Sequence, residues 1–347
     1  MKGRGAQKSV GNHFRKQAFE KEAEDDFFEP DTEKVATRIY PVQAKTIVNR
    51  VNSPDIPVSY SLNPYQGCEH GCVYCYARNS HEYWDGGAGI EFESMIMAKM
   101  NAAALLKAFL SHPRWEASPI VMAGNTDIYQ PCERDLKITK SLLEVFDKFR
   151  HPVEVITKNA LIIRDTGLLQ SLAEDDLVHV NLSITTFDQK LKSVLEPRTS
   201  SVKNMLQCMN KLSAAGIPVN ALMAPLIPSL NDLHMAEVAR MCSDAGARGF
   251  GYQVVRLNGR VEEVFTDWIQ KSFPDRAGKV LSQIRQLHGG QTSDHRFGKR
   301  MRGEGPWAEM IKAQYQILKS RYFKDKKMPA FNLSAFRDHK PGQLRLF

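Results

Sequence analysis

Apolar positions enter this chain late. Residues 1 to about 40 are polar and charged with no apolar period, and the pattern predicts a flexible arm. Over residues 46–62 short β-branched runs take over, Ile47-Val48 and Val58-Ser59-Tyr60, and predict a first strand. Strands and helices then alternate. A helix is expected over 95–111, rich in Met, Ala and Leu, and a short apolar strand over 119–123. Leu136, Leu142, Leu143, Phe146 and Phe149 stand near helical spacing and predict an amphipathic helix over 136–150. The same reading gives a strand over 153–157, a helix over 160–174 and a strand over 178–185. It continues with a helix over 202–215 stopped by Gly216, a strand over 218–224, a helix over 233–245 and a strand over 250–256. This repeated order implies a parallel sheet and an α/β fold, a partial (β/α)6 barrel. Ligands of such a fold gather at the C-terminal ends of its strands. After Leu257 the rhythm breaks, with helices expected over 262–271, 277–287 and 306–323 and a loop over 289–298. The expected organisation is a flexible arm (1–40), a barrel (41–260), a helical extension (261–330) and a flexible tail (331–347).

Composition adds a compartment and a partner. The 347 residues are 42% hydrophobic, enough for a substantial core. No apolar run reaches the ~20 residues of a membrane helix, and the first residues lack the apolar stretch of a secretory signal. A cytoplasmic protein without a membrane partner, its thiols kept reduced, is expected. The net charge of +8 is uneven. Residues 285–347 hold 14 Lys/Arg against 5 Asp/Glu, while the rest holds 33 against 34. A neutral body with a basic end suits an anionic partner, nucleic acid foremost. The plainer reading is a solubilising tail.

The chemistry concentrates in Asn63-Pro64-Tyr65-Gln66-Gly67-Cys68-Glu69-His70-Gly71-Cys72-Val73-Tyr74-Cys75-Tyr76-Ala77. Three of the six cysteines stand here as C-x3-C-x2-C. Three thiolates on so short a loop can face one cavity. A closed zinc site needs four ligands, and His70 is too near in sequence to wrap a metal easily. A [4Fe–4S] cluster normally takes four thiolates; with three, one iron stays open. Gly67 and Gly71 allow the tight turns such a loop needs. Tyr74 and Tyr76 can shield a cluster or present backbone to an adenine. A zinc loop, or three unrelated thiols, remains the alternative.

The spacing, with an aromatic residue before the third cysteine, resembles the signature of the radical S-adenosylmethionine (radical SAM) superfamily. That resemblance implies a [4Fe–4S] cluster on Cys68, Cys72 and Cys75, and S-adenosylmethionine on the open iron. It also implies a 5′-deoxyadenosyl radical that takes hydrogen from an unreactive carbon, and an electron donor such as flavodoxin or ferredoxin. Strand ends are where further cofactor contacts belong: Gly124-Asn125-Thr126-Asp127, Thr157-Lys158-Asn159, Asn181, Ser183, Thr185, Glu196-Pro197-Arg198, Gln253 and Arg256. Taken singly these read equally as helix caps, solvated lysines and surface ion pairs. Together, the segments from Gly124 to Arg198 resemble the radical SAM proteins grouped with spore photoproduct lyase as "DNA repair photolyase" relatives, over roughly residues 62–257. That likeness implies S-adenosylmethionine contacts by Thr126, Asp127, Lys158 and Ser183. Arg198 is added on chemistry, since a guanidinium suits a carboxylate. One departure stands out. Spore photoproduct lyase carries a hydrogen-donating cysteine just before its matching motif, where this chain has Gly124. Cys132 is the substitute candidate, with a small buried core residue as its equal alternative. Cys208 and Cys242 fall within expected helices and read as core.

The favoured function is a radical SAM enzyme acting on DNA in repair. The alternatives are the same chemistry on RNA, a protein or a small molecule, and a non-enzymatic metal-stabilised nucleic-acid binder. The final residues, Gln343, Leu344, Leu346 and Phe347, resemble the short motif by which bacterial repair proteins dock on the DNA sliding clamp. Their alternative is a tail tucked onto the barrel.

Overall fold

A computed structural model of the chain describes residues 3–14, 35–56 and 58–336. Ten strands follow in chain order: β1 (Arg38–Val42), β2 (Val48–Arg50), β3 (Tyr60–Leu62), β4 (Tyr65–Gln66), β5 (Met95–Lys99), β6 (Ile120–Met122), β7 (Val153–Thr157), β8 (Val178–Ser183), β9 (Val219–Leu226) and β10 (Gly249–Val254). The main sheet runs β10-β9-β8-β7-β6-β3-β2. From β3 to β10 each of its neighbours pairs in parallel, and β2 alone is antiparallel. Helices Ala102–Leu110, Ile138–Phe149, Thr166–Glu174, Val202–Ala214 and Met235–Asp244 alternate with the parallel strands, and the expected α/β partial barrel is what forms.

The helix pattern explains why. In Ile138–Phe149 the buried residues Ile138, Leu142, Leu143, Phe146 and Phe149 share one face, which packs on the core. In Val202–Ala214 the Ser201 hydroxyl accepts from the Asn204 amide and opens the helix. Gly216 at φ +79° closes it. Cys208 and Cys242 are fully buried on such faces, as core.

Residues 95–111 depart from expectation. Met95–Lys99 is a strand, paired with β1 on one side and β4 on the other, and the helix starts only at Ala102. Met, Ala and Lys favour helix locally, but two partner strands distant in sequence decide the outcome.

The arm departs as well. Within 3–14, Arg4, Ala6, Val10 and Asn12 are buried. The Gly5 and Ala6 amides donate to the Glu93 carboxylate at 2.9 and 2.7 Å. Arg4 donates to the Val35 carbonyl at 2.7 Å and to Thr37 at 2.9 Å. A side chain on Gly5 would meet the Gly71 carbonyl at 1.7 Å, so only glycine lets this segment lie on the cysteine loop. The same Glu93 pairs at 2.5 Å with the fully buried Arg78, which also bonds the Cys72 carbonyl at 3.0 Å.

At the other end, residues 331–336 pack rather than hang free. Phe331 stacks on His179 with ring centroids 3.9 Å apart, and Phe336 meets His151 edge-on. Both contacts lie at the N-terminal end of the sheet. Gln343, Leu344, Leu346 and Phe347 lie outside the described residues. No helix among the described residues is long and apolar enough to cross a membrane.

Candidate active site

The C-terminal strand ends open on one cavity. Cys68, Cys72, Cys75, Tyr74, Tyr76, Thr126, Asp127, Lys158 and Ser183 all line it. The three thiols are free, two of them buried and the third half-buried. Burial, the foremost cause, pushes each thiol above its ordinary value, so a thiolate there needs a cation beside it. No three Cys, His, Asp or Glu side chains among the described residues are arranged to hold a single metal ion. A multi-iron cluster fits the donor set better, since each thiolate then binds its own iron.

Backbone contacts fix the loop. The Cys68 amide donates to the Phe92 carbonyl at 2.9 Å, and the Val73 amide to Leu195 at 3.3 Å. Gly67 and Gly71 both adopt positive φ, +79° and +69°.

One wall of the cavity carries a buried charge network. Lys158 Nζ donates to Ser183 Oγ at 2.6 Å and to the Ala224 carbonyl at 3.1 Å, and pairs with Glu196 Oε1 at 3.1 Å. Glu196 also pairs with Lys192 at 2.8 Å and accepts from the Tyr74 hydroxyl. Burial alone would raise the Glu196 carboxyl, but Lys158 and Lys192 overturn it and hold it well below the usual carboxylate range. Burial would lower Lys158, and Glu196 reverses that, leaving its ammonium above its ordinary value. Asp127 behaves likewise. Burial opposes its charge, and His70 at 3.3 Å with the Lys158 and Tyr129 amides, each at 2.8 Å, outweighs burial and lowers it. Thr157 Oγ1 donates to the same carboxylate at 2.8 Å. Asp127 therefore organises the loop around it. The Thr126 hydroxyl donates to the Tyr65 carbonyl at 2.7 Å, and the Tyr76 hydroxyl to the Gly124 carbonyl at 2.6 Å.

Two expected residues are elsewhere. Arg198 does not line the cavity: it pairs with Glu69 at 3.1 Å and reaches Thr37 at 3.3 Å, behind the cysteine loop. Its guanidinium found a carboxylate, as its chemistry asks, but one belonging to the protein. Cys132 is in the core. Its amide donates to Glu69 Oε2 at 2.6 Å, its thiol joins the apolar cluster, and it is absent from the cavity wall. Other residues noted in the sequence are present there: His70, Gln253 and Arg256 line the cavity and Glu196 ties its wall. Strand-end position flagged Gln253, Arg256 and Glu196. Nothing in the pattern showed that Glu196 would be the buried one and Arg198 the paired one.

Comparison with known proteins agrees with this geometry. The family model described as "Radical SAM superfamily" matches residues 62–242. The chain belongs to the radical SAM superfamily. As a member it takes a [4Fe–4S] cluster and S-adenosylmethionine. Among its relatives is the uncharacterized protein Rv2578c of Mycobacterium tuberculosis, 30% identical over 250 residues, 71% of this chain and 72% of that one. The uncharacterized protein MJ0683 of Methanocaldococcus jannaschii is 28% identical over 237 residues, 68% of this chain and 84% of that one. Among solved structures, a spore photoproduct lyase complexed with dinucleoside spore photoproduct superposes with a TM-score of 0.59. It shares 15% identity and covers 82% of this chain and 79% of its own. At that identity the likeness is one of fold.

Proposed function

We propose that this radical SAM enzyme acts on a nucleic acid, DNA foremost, in repair. The observation that carries the radical SAM part is the convergence of three free thiols, Lys158 and Ser183 on one cavity at the strand ends. Cys68, Cys72 and Cys75 are the iron ligands. When bound, the cluster and S-adenosylmethionine supply a 5′-deoxyadenosyl radical that removes hydrogen from an unreactive carbon. The chain's own residues bind and orient. Lys158 and Ser183 offer a cation and a hydroxyl to the cofactor's carboxylate, Tyr74 and Tyr76 wall the cavity, and Thr126 and Asp127 hold the loop that faces it. Arg198 is a positioning residue, acting through Glu69 on the cysteine loop. A cytoplasmic setting and a small electron-transfer protein such as flavodoxin or ferredoxin as reductant go with this chemistry.

The nucleic-acid part rests on where the basic segment lies. Residues 288–305 pack over the end of β10, with the Val254 amide donating to Met301 at 3.1 Å and the Leu257 amide to Thr292 at 2.9 Å. That brings Arg300 close to Arg256 of the cavity wall, where an anionic polymer would pass, while Arg296 and Lys299 pair with Asp294 and Glu304 and Arg302 lies over the Tyr252 ring. The fold shared with spore photoproduct lyase is consistent with this reading. Docking of Gln343 to Phe347 on a DNA sliding clamp belongs to the same proposal, tested by pull-down with and without those residues.

The deciding experiment is anaerobic reconstitution with iron and sulfide, reduction, and measurement of 5′-deoxyadenosine with and without DNA or RNA. Brown protein whose 5′-deoxyadenosine output rises with damaged DNA is expected. A rise with RNA only, or with neither, overturns the DNA reading, and colourless zinc protein overturns the enzyme.

A further inference from the structure

Arg256 stands two residues past β10 and lines the cavity. Among the described residues, no hydrogen bond or ion pair reaches its guanidinium, although the side chain is half-buried. The cations on the opposite wall are paired; this one is not. The carboxylate that attracts it is Asp55, and Asp55 is taken. Arg300 Nε binds Asp55 Oδ2 at 2.5 Å, and the Gly298 amide binds Oδ1 at 2.6 Å. Two guanidiniums therefore share one committed carboxylate, and a positive charge is left over at the mouth. Burial first and Arg300 second push Arg256 below its ordinary value, outweighing the weaker attraction of Tyr76 and Asp55.

Tyr76 shares the cavity wall with it, and Phe297 belongs to Arg300. Tyr76 is 47% exposed at the rim of the cavity, and Phe297 is 57% exposed with the Arg300 guanidinium 4.5 Å above it. A cation beside an exposed ring suits a single strand, in which phosphates and bases alternate. An isolated carboxylate would use the charge but leave the rings idle.

We infer that Arg256, with Arg300 beside it, is the phosphate subsite of the substrate: it takes a phosphodiester next to the nucleotide that enters the cavity. Arg256 is thus a specificity residue for the substrate and not a holder of S-adenosylmethionine. The inference rests on the nucleic-acid reading above. The committed Asp55 explains why Arg300 alone does not suffice, because its fork is already spent on the protein.

The test uses the cluster-loaded enzyme and a fluorescent oligothymidylate, followed by anisotropy at several salt concentrations. Arg256→Ala should weaken binding about tenfold, the size of one charged hydrogen-bonded contact. It should also reduce the slope of log affinity against log salt by about one. Arg256→Lys should keep the slope and recover part of the affinity, since it restores charge without the fork. S-adenosylmethionine affinity, measured by equilibrium dialysis, should stay within about twofold in both variants, against tenfold for the oligonucleotide. Unchanged oligonucleotide affinity and slope in Arg256→Ala would overturn the subsite, and so would a loss of S-adenosylmethionine binding in its place. If the wild-type enzyme binds no oligonucleotide, the nucleic-acid reading fails, and dialysis against radiolabelled inorganic phosphate then judges the subsite. Phosphate binding that disappears in Arg256→Ala upholds an anion subsite for another phosphorylated substrate, whereas equal binding in both proteins overturns it.

Discussion

The two sides of the cavity treat charge in opposite ways. On the side of β7 and β8, Lys158 and Lys192 face Glu196 and Asp127, and every charge has its counter-charge and hydrogen bonds before any ligand arrives. At the end of β10, Arg256 has burial and a cation for a neighbour, no hydrogen bond or ion pair among the described residues, and only the weaker attraction of Tyr76 and Asp55. A buried pair holds its geometry only when both members are satisfied. The compensated side is therefore rigid and suits a cofactor that is the same in every turnover. The uncompensated side is completed only by what binds there, which suits a substrate.

Loss of a thiol tests the compensated side most severely. Changing Cys68, Cys72 or Cys75 to Ala should abolish both the cluster and S-adenosylmethionine cleavage, read by iron and sulfide content and by 5′-deoxyadenosine. Cys208→Ala and Cys242→Ala, in helix cores far from the loop, should keep both. Full cluster occupancy in a Cys72→Ala protein would break the assignment of this side to the cofactor.

Next comes the network itself. Glu196→Gln leaves Lys158 and Lys192 buried without their shared carboxylate. The expected cost is ~3–5 kcal/mol of unfolding free energy, measured by urea denaturation at equal cluster content. The sign follows from the lowered Glu196 carboxyl. Its charge stabilises the fold above its unfolded value, and the stabilisation is lost as pH falls toward the folded one. The mutant's stability should accordingly depend less on pH through the acid range. A cost under ~1 kcal/mol, the range of an exposed ion pair, would remove the contrast between the two sides.

Much of this was legible from the chain. Five of the six parallel strands came from local apolar runs, whereas the single strand expected over 46–62 is two short ones, β2 and β3, paired antiparallel; the cavity came from the rule that strand ends collect ligands. Cysteine spacing needs only the loop itself. What escaped depends on distant partners. Met95–Lys99 is a strand because β1 and β4 flank it, which composition does not encode. The N-terminal segment packs through backbone amides on Glu93 and through the absence of a side chain at Gly5, so no apolar period announces it. Arg198 was expected at the cavity but pairs with Glu69 behind the loop, and Cys132 is held by its amide on Glu69 with its side chain in the core.

Cys132 gives a smaller test. Anchored by its amide and packed in the core, it should lose ~1 kcal/mol of stability as Cys132→Ala. Both 5′-deoxyadenosine and product formation should survive. Turnover that stops after 5′-deoxyadenosine would return Cys132 to the role of hydrogen donor and place chemistry behind the compensated wall.

The smallest expected effect is the most discriminating. Arg256→Ala should change stability by no more than ~0.5 kcal/mol, the usual range for a substitution that breaks no named interaction. The direction can be argued. A folded guanidinium held below its ordinary value binds its proton less tightly than in the unfolded chain, so its charge works against folding at neutral pH. Removing it also removes the repulsion with Arg300, while Arg300 keeps Asp55 and Ser53. The lost packing of the aliphatic stem opposes this gain, and the sum should be near zero or slightly favourable. Inorganic phosphate should then separate the proteins. A ligand that binds only the folded state raises its melting temperature in proportion to occupancy, so phosphate should stabilise the wild type and leave Arg256→Ala unmoved. A mutant that loses ~2 kcal/mol or more would mean that Arg256 is a structural member of the barrel, compensated after all, and the two sides of the cavity would no longer differ in kind.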